Sequence, residues 1–254
     1  MNPRTNVLGV GISLINMQVA LDRLNRWIAA KDHQYVCVCT VNTVMQCHRN
    51  ERLRRIVNAA GMATPDGMPL VWLSRLAGHR FVSRVYGPDL MLAELAASQS
   101  SGHRHFLYGG RDGVAERLAT TMRSRYPQAA IVGSFGPPMA SAEELCNGEI
   151  ATVINQAQPD IVWVGVSTPK QEAWMACMRP LLDAPVLIGV GAAFDFHTGN
   201  VAQAPHWIQR AGLEWLFRLA HEPRRLWRRY LLDNPRFLFE LALQKLGLKR
   251  YDLA

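Results

Sequence analysis

Along the first four-fifths of the chain, short apolar runs alternate with stretches whose apolar residues recur every three or four positions. Tyr35 to Val41, Arg104 to Tyr108, Ala129 to Ser134, Asp160 to Val166 and Pro185 to Val190 read as strands. Val44 to Ala60, Val114 to Tyr126, Glu143 to Gln156 and Lys170 to Met178 read as helices between them. Alternation at this spacing predicts βαβ units and a parallel sheet. The runs Ile161-Val162-Trp163-Val164 and Val186-Leu187-Ile188 are apolar at every position, as a sheet covered on both faces requires. The expected class is α/β, a mostly parallel sheet with helices on both faces.

The pattern changes near Gly199, and no further strand is expected. Aromatic and aliphatic residues are now interleaved with arginines, and Pro205, Pro223 and Pro235 punctuate short helices. Leu213, Leu216, Phe217 and Ala220 follow i, i+3, i+4, i+7 spacing, an amphipathic stripe. Arg218, Arg225 and Arg228 share a face if helical periodicity runs through them, since offsets of seven and three are near whole turns. Residues 1–199 are therefore expected to form an α/β unit and residues 200–254 a helical, basic appendage. Short amphipathic helices of this content suit a membrane interface, and equally a helical cap packed on the sheet.

The 254 residues carry a formal net charge of +8. From His197 onward ten basic residues face five acidic ones, so the last 58 residues hold +5 of that total. Such an end predicts an anionic partner: phosphate groups, a membrane surface or nucleic acid. Hydrophobic residues make up 49% and no apolar run approaches the roughly 20 residues that span a bilayer. Met1 to Gly9 lacks a signal-peptide core, so the chain is expected in the cytosol. Five cysteines with no CxxC pair argue against a disulfide framework and predict buried thiols.

In a parallel sheet, ligands bind beyond the carboxyl ends of the strands. Thr40 and Asn42, Gly109 and Gly110, Gln171, and Asp195 with His197 all follow predicted strands. Gly109-Gly110-x-x-Gly113 is not GxGxxG, and no acidic residue is suitably placed about 20 residues later, so a dinucleotide fingerprint is absent. Asp195 and His197 suggest a dyad, or a turn fixed by local bonds. In Thr64-Pro65-Asp66-Gly67-Met68-Pro69, Asp66 precedes an apolar run that begins a helix. It reads as an N-cap, and a carboxylate held there in a cleft can also serve as a general base. No metal-binding motif or DxD-like pair is present.

Several segments together resemble the WecG/TagA/CpsF family of bacterial glycosyltransferases. They are Thr40-Val41-Asn42, Thr64-Pro65-Asp66-Gly67, Arg84 to Leu90, Tyr108-Gly109-Gly110, Pro169 to Glu172, Gly191 to Gly199, and Gly212 to Leu219 continuing to Glu222-Pro223-Arg224-Arg225. The resemblance covers about Val7 to Phe239 and implies a Rossmann-like sheet. It implies inverting, metal-independent transfer of a sugar from a UDP-sugar to a polyprenyl-diphosphate-linked saccharide, with no cofactor. A hexose or N-acetylhexosamine-type sugar is expected, for a cell-envelope polymer such as an exopolysaccharide, a common antigen or a teichoic acid.

By the same resemblance Asp66 is the base, and Thr40, Asn42 and Gln171 line the substrate pocket. Arg84 supports the diphosphate or acceptor, and Arg218, Arg225 and Arg228 meet a diphosphate as the appendage closes at the membrane. Gly109, Gly110 and Asp195 are the nucleotide-facing candidates. The resemblance also implies a peripheral position on the anionic inner face of the cytoplasmic membrane, no nucleic-acid partner, and self-association of the core. Gln203 departs from the family, where a basic residue commonly precedes Ala-Pro. The rival expectations are a nucleotide-binding oxidoreductase on the same sheet and a nucleic-acid-binding protein using the basic end.

Overall fold

A computed structural model describes residues 3–253. The chain opens with an antiparallel hairpin, β1 (Arg4–Val7) and β2 (Val10–Ser13), then α1 (Met17–Ala30) and β3 (Gln34–Cys39). Next come α2 (Val41–Arg49), α3 (Glu51–Ala59), β4 (Met62–Pro65), α4 (Met68–Leu76), α5 (Gly87–Ser101), β5 (Arg104–Gly109), α6 (Val114–Arg125) and β6 (Ala130–Phe135). The α/β part ends with α7 (Ala142–Leu145), α8 (Gly148–Gln156), β7 (Ile161–Gly165), α9 (Lys170–Met178), β8 (Val186–Gly189) and α10 (Ala193–His197). Beyond it lie α11 (His206–Arg210), α12 (Glu214–His221), α13 (Pro223–Trp227), a π-helical turn (Arg228–Leu232) and α14 (Asp233–Lys245).

Six strands form one parallel sheet in the order β4-β3-β8-β7-β5-β6. The expected α/β class holds, and its cause is visible in the strands. On β3 Tyr35, Cys37 and Cys39 enter one core layer and Val36 the other; on β7 Val162 and Val164 oppose Ile161 and Trp163. Side chains alternate across a strand, so a strand apolar at every position feeds two layers. One layer is completed by residues of α2, α3, α4, α7, α8, α9 and α14, the other by α1, α5, α6 and α10.

Several elements differ from expectation. The β1–β2 hairpin, α1, β4 and α5 were not anticipated, whereas the helix expected to begin after Asp66 is α4. The helix expected over Val44 to Ala60 is two helices, broken at Asn50, which ends α2 and accepts from Leu53 N to cap α3. Glu143 to Gln156 is likewise divided, with Asn147 capping α8. The expectation of five unpaired thiols is corrected: Cys146 and Cys177 form a disulfide. Packing of α7 on α9 brings their Cα atoms to 6.2 Å across 31 residues of sequence, a separation with no local signal. Cys37, Cys39 and Cys47 are free and buried.

No further strand follows Gly199 among the described residues. The segment attaches to the α/β part chiefly through α14. Phe237 is buried in the core layer beneath α2, and Arg49 pairs with Asp233. The Gln244 side chain accepts from Leu8 N at 3.1 Å, and Asn6 Nδ2 donates to Tyr251 O at 2.6 Å. Among the described residues no helix is long and apolar enough to cross a membrane.

Candidate active site

The carboxyl ends of β4, β3, β8 and β7 open into a cleft, and α11 to α14 form its opposite wall. Two chambers of about 410 and 380 Å³ occupy this cleft, within the usual range for ligand sites. Thr40, Asn42, Asp66, Tyr86, Arg218 and Arg229 border both, so the chambers meet around Asp66. One chamber is largely apolar, with Met68, Trp72, Leu213, Trp215 and Leu238 on its walls. The other is largely polar, with Ser167, Gln171, Asp195 and Arg225.

Asp66 is fixed by backbone before its side chain does anything. Its N–H donates to Cys39 O, and Val85 N donates to Pro65 O, each at 3.0 Å. These bonds tie the end of β4 to β3 and to the loop before α5. The expected N-cap is not formed: Gly67 is the capping residue of α4, without a side-chain bond, and the Asp66 carboxylate turns to Arg84 instead. Pro69 removes one of the orphan donors at that terminus, which lessens the need for a cap.

Arg84 is a hub. Its Nη2 donates to Asp66 Oδ1 at 3.1 Å and to Glu214 Oε2 at 2.5 Å, and its Nη1 donates to Gln209 Oε1 at 3.0 Å. The guanidinium lies 3.9 Å from the Tyr86 ring centroid, and Tyr86 O–H donates to Glu214 Oε1 at 3.1 Å. Burial pushes the Asp66 carboxyl up to about 6; Arg84 opposes that rise and Glu214 adds to it. Burial alone depresses the Arg84 guanidinium, but Asp66 and Glu214 more than reverse this and hold it above its usual range. Oδ2 of Asp66 has no hydrogen-bond partner among the described residues.

The other predicted residues divide into two groups. Thr40 caps α2 through a reciprocal pair with Thr43, leaving Asn42 in the first turn at the chamber junction. Gln171 lines the polar chamber, but its amide is engaged, accepting from Gly191 N at 3.0 Å and donating to Thr168 Oγ1 and Glu172 Oε1. Asp195 lines the polar chamber, yet His197 turns away to Pro88 O at 3.1 Å, so the suggested dyad is not formed. Gly109 and Gly110 border neither chamber. A Cβ on Gly109 would lie 2.6 Å from the Gly165 backbone, so contact between β5 and β7 accounts for that glycine.

Of the three arginines predicted to share a face, Arg218 borders both chambers, Arg225 the polar one, and Arg228 neither. At about 3.6 residues per turn the ten residues from Arg218 to Arg228 fall short of three turns, whereas the eleven to Arg229 nearly complete them, and Pro223 and the π turn interrupt the helix along the way. Arg229 takes the inward position instead. Its Nε is sealed from solvent without a partner, as is that of Arg218. Sequence reasoning missed Arg229, Glu214 and Tyr86. Tyr86 and Glu214 lay within quoted segments but carried no assigned role.

A sequence model described as the glycosyl transferase WecG/TagA/CpsF family matches residues 5–251. The chain is 30% identical over 244 residues to an N-acetylglucosaminyldiphosphoundecaprenol N-acetyl-beta-D-mannosaminyltransferase of Bacillus subtilis (strain 168), covering 96% of this chain and 83% of that protein. It is 31% identical to the transferase of the same name from Bacillus spizizenii, over 75% of this chain and 71% of that one. A third of that name, from Staphylococcus aureus (strain MW2), is 23% identical over 97% and 95% of the two chains.

Proposed function

Since this chain belongs to the WecG/TagA/CpsF family of glycosyltransferases, we propose that it moves an N-acetylhexosamine-type sugar from a UDP-sugar to a polyprenyl-diphosphate-linked saccharide, with inversion at the anomeric carbon. The names of the relatives support N-acetylmannosamine as the sugar and an N-acetylglucosaminyl diphospholipid as the acceptor. Membership of a glycosyltransferase family leaves the oxidoreductase alternative without support. The observation that carries this reading is the buried Asp66 carboxylate at the junction of a polar and an apolar chamber.

The polar chamber takes the nucleotide sugar, and the chamber walled by Trp72 and Leu238 takes the acceptor. The acceptor hydroxyl oxygen bonds to the anomeric carbon, and the bond from that carbon to the diphosphate oxygen breaks. The electron pair leaves with UDP, and the hydroxyl proton passes to Asp66 Oδ2. A base titrating near 6 suits this step, being free at neutral pH without being too weak to accept. Arg218, Arg225 and Arg229 offset the charge gathering on the diphosphate; charge-assisted donors of this kind work best where water is excluded.

Trp207, Leu216, Trp227, Leu231 and Leu232 of the appendage are exposed, as are Arg224 and Arg228, and the Arg228 guanidinium lies over the Trp227 ring. That surface suits the anionic face of the membrane bearing the acceptor. The decisive test is Asp66→Asn, assayed with UDP-N-acetylmannosamine and a short-chain lipid-diphosphate N-acetylglucosamine. Turnover should fall by roughly 10³-fold, with UDP-sugar affinity by calorimetry within about threefold. Full turnover in that variant would remove Asp66 as the base.

A further inference from the structure

Among the described residues, Glu214 is the one carboxylate of the C-terminal helices that lines either chamber, on the apolar side beside Arg84. Its two oxygens are both committed, Oε2 to Arg84 and Oε1 to Tyr86 O–H. Arg84 is thereby shared. On one side it holds Asp66 of the α/β part; on the other it is held by Glu214 and by Gln209 of α11. One guanidinium between two carboxylates cannot neutralise both as fully as it would neutralise one. Resting on the reading of Asp66 as the base, we propose that Glu214 is a positioning residue that draws Arg84 partly away from Asp66, so that the base becomes strong enough to act only while the C-terminal helices are closed on the cleft.

The groups around Asp66 act in both senses: burial first and then Glu214 raise its proton affinity, while Arg84 and Arg218 lower it. From the loop before α5 come Arg84 and Tyr86; from α12 come Glu214 and Arg218; from the π turn comes Arg229. Cys39 on β3 is a buried thiol pushed well above its ordinary range by burial, and so stays uncharged. Asp89 of α5 feels Arg84 and Glu214 from farther away. Of these, Glu214 is the acid whose negative charge adds to the proton affinity of Asp66. With the appendage open, Asp66 would keep Arg84 to itself and be a weaker base. A lipid-linked acceptor seated under a closed appendage would then meet an active carboxylate, whereas water entering an open cleft would not.

Glu214→Gln preserves size and hydrogen bonding while removing the charge. The sign follows directly: without Glu214 the Asp66 carboxyl holds its proton less tightly, so the acidic limb of kcat/KM moves to lower pH. A displacement of about one pH unit is expected, with plateau kcat down several-fold because the base is weaker. Glu214→Asp, which keeps the charge, should bring the limb back toward wild type. The ¹³C carboxyl titration of Asp66, assigned by its loss in Asp66→Asn, should move in the same direction without any substrate. Thermal melts establish that each variant is folded. If Asp66→Asn is inactive but Glu214→Gln leaves both limb and titration in place, Glu214 is merely structural and the proposal falls while the base stands. If Asp66→Asn is fully active, the base reading itself falls.

Discussion

Two helices facing the same cleft were built to different ends. In the α/β part, α9 buries Gln171, Glu172, Trp174, Met175 and Met178. Across the cleft α12 is the more plainly amphipathic in sequence, yet buries none of its residues, and Leu216 is half exposed. Arginines show the same contrast. Arg179 follows α9 and donates from both terminal nitrogens to backbone carbonyls of Gln34, Leu182 and Ala184, leaving only its Nε sealed without a partner. Arg229 makes no hydrogen bond among the described residues although its Nε is sealed off. A sealed cation with no partner is costly. Both parts hold sealed polar atoms without partners, but those of the appendage, on Arg218 and Arg229, belong to cations that line the cleft. Under the proposed function a diphosphate would meet both walls of the cleft, while the exposed apolar residues of the appendage would meet the membrane.

The largest break in that comparison is to remove the appendage. A chain ending at Gly199 should lose detectable transfer and binding to anionic vesicles while still melting cooperatively. It will melt earlier than the full chain, because Phe237 leaves the core layer under α2 and large-to-small loss at such a site costs about 3–5 kcal/mol. Undiminished turnover on a lipid-diphosphate acceptor would mean that the cleft needs no second wall. Unfolding of the truncated chain would move α14 from machinery to scaffold.

A smaller change separates two neighbouring arginines. Arg229→Met should lower kcat/KM by about 10²-fold, the scale of one charge-assisted bond to phosphate lost from a desolvated site, roughly 2–3 kcal/mol. Arg228→Met removes a cation that lies 5.3 Å from the exposed Trp227 ring, outside both chambers, and should cost less than about threefold in the same assay with soluble acceptor. Equal losses would mean that the π turn is rewound when substrate binds.

That pair also shows where the sequence stops being legible. Strands β7 and β8 were the most readable because Ile161–Val164 and Val186–Ile188 are apolar at every position. Helices α2 and α3 were not separable, because Asn50 fits a helix interior as a letter and acts as a cap only in three dimensions. β4 is four residues, Met-Ala-Thr-Pro, with no periodicity to detect. Asp66, Thr40, Asn42, Arg84, Gln171, Asp195, Arg218 and Arg225 do border the cleft, and strand ends explain why most of them could be found. Arg229 was passed over although it follows Arg218 by eleven residues and Arg225 by four, both close to whole turns at about 3.6 residues per turn. Glu214 was hidden differently: its role depends on Arg84, 130 residues away.

The smallest effect concerns Asp66 itself, a buried carboxylate of the α/β part. Its carboxyl is raised to about 6 from an ordinary value of 3.8, chiefly by burial. The folded chain thus binds that proton more tightly than the unfolded chain, so the charged carboxylate subtracts stability as pH rises from about 4 to about 6 and subtracts it in full above that. Asp66→Asn removes the subtraction and weakens the two bonds that Arg84 donates to Oδ1, while Arg84 keeps Glu214. A net gain on the order of 1 kcal/mol is expected at pH 7.5, or about 2–4 °C in melting temperature, shrinking toward zero near pH 4. A variant that is inactive yet more stable at neutral pH would mean that the scaffold tolerates Asp66 for its chemistry. A variant less stable at neutral pH would return Asp66 to the scaffold, as one more partner for Arg84.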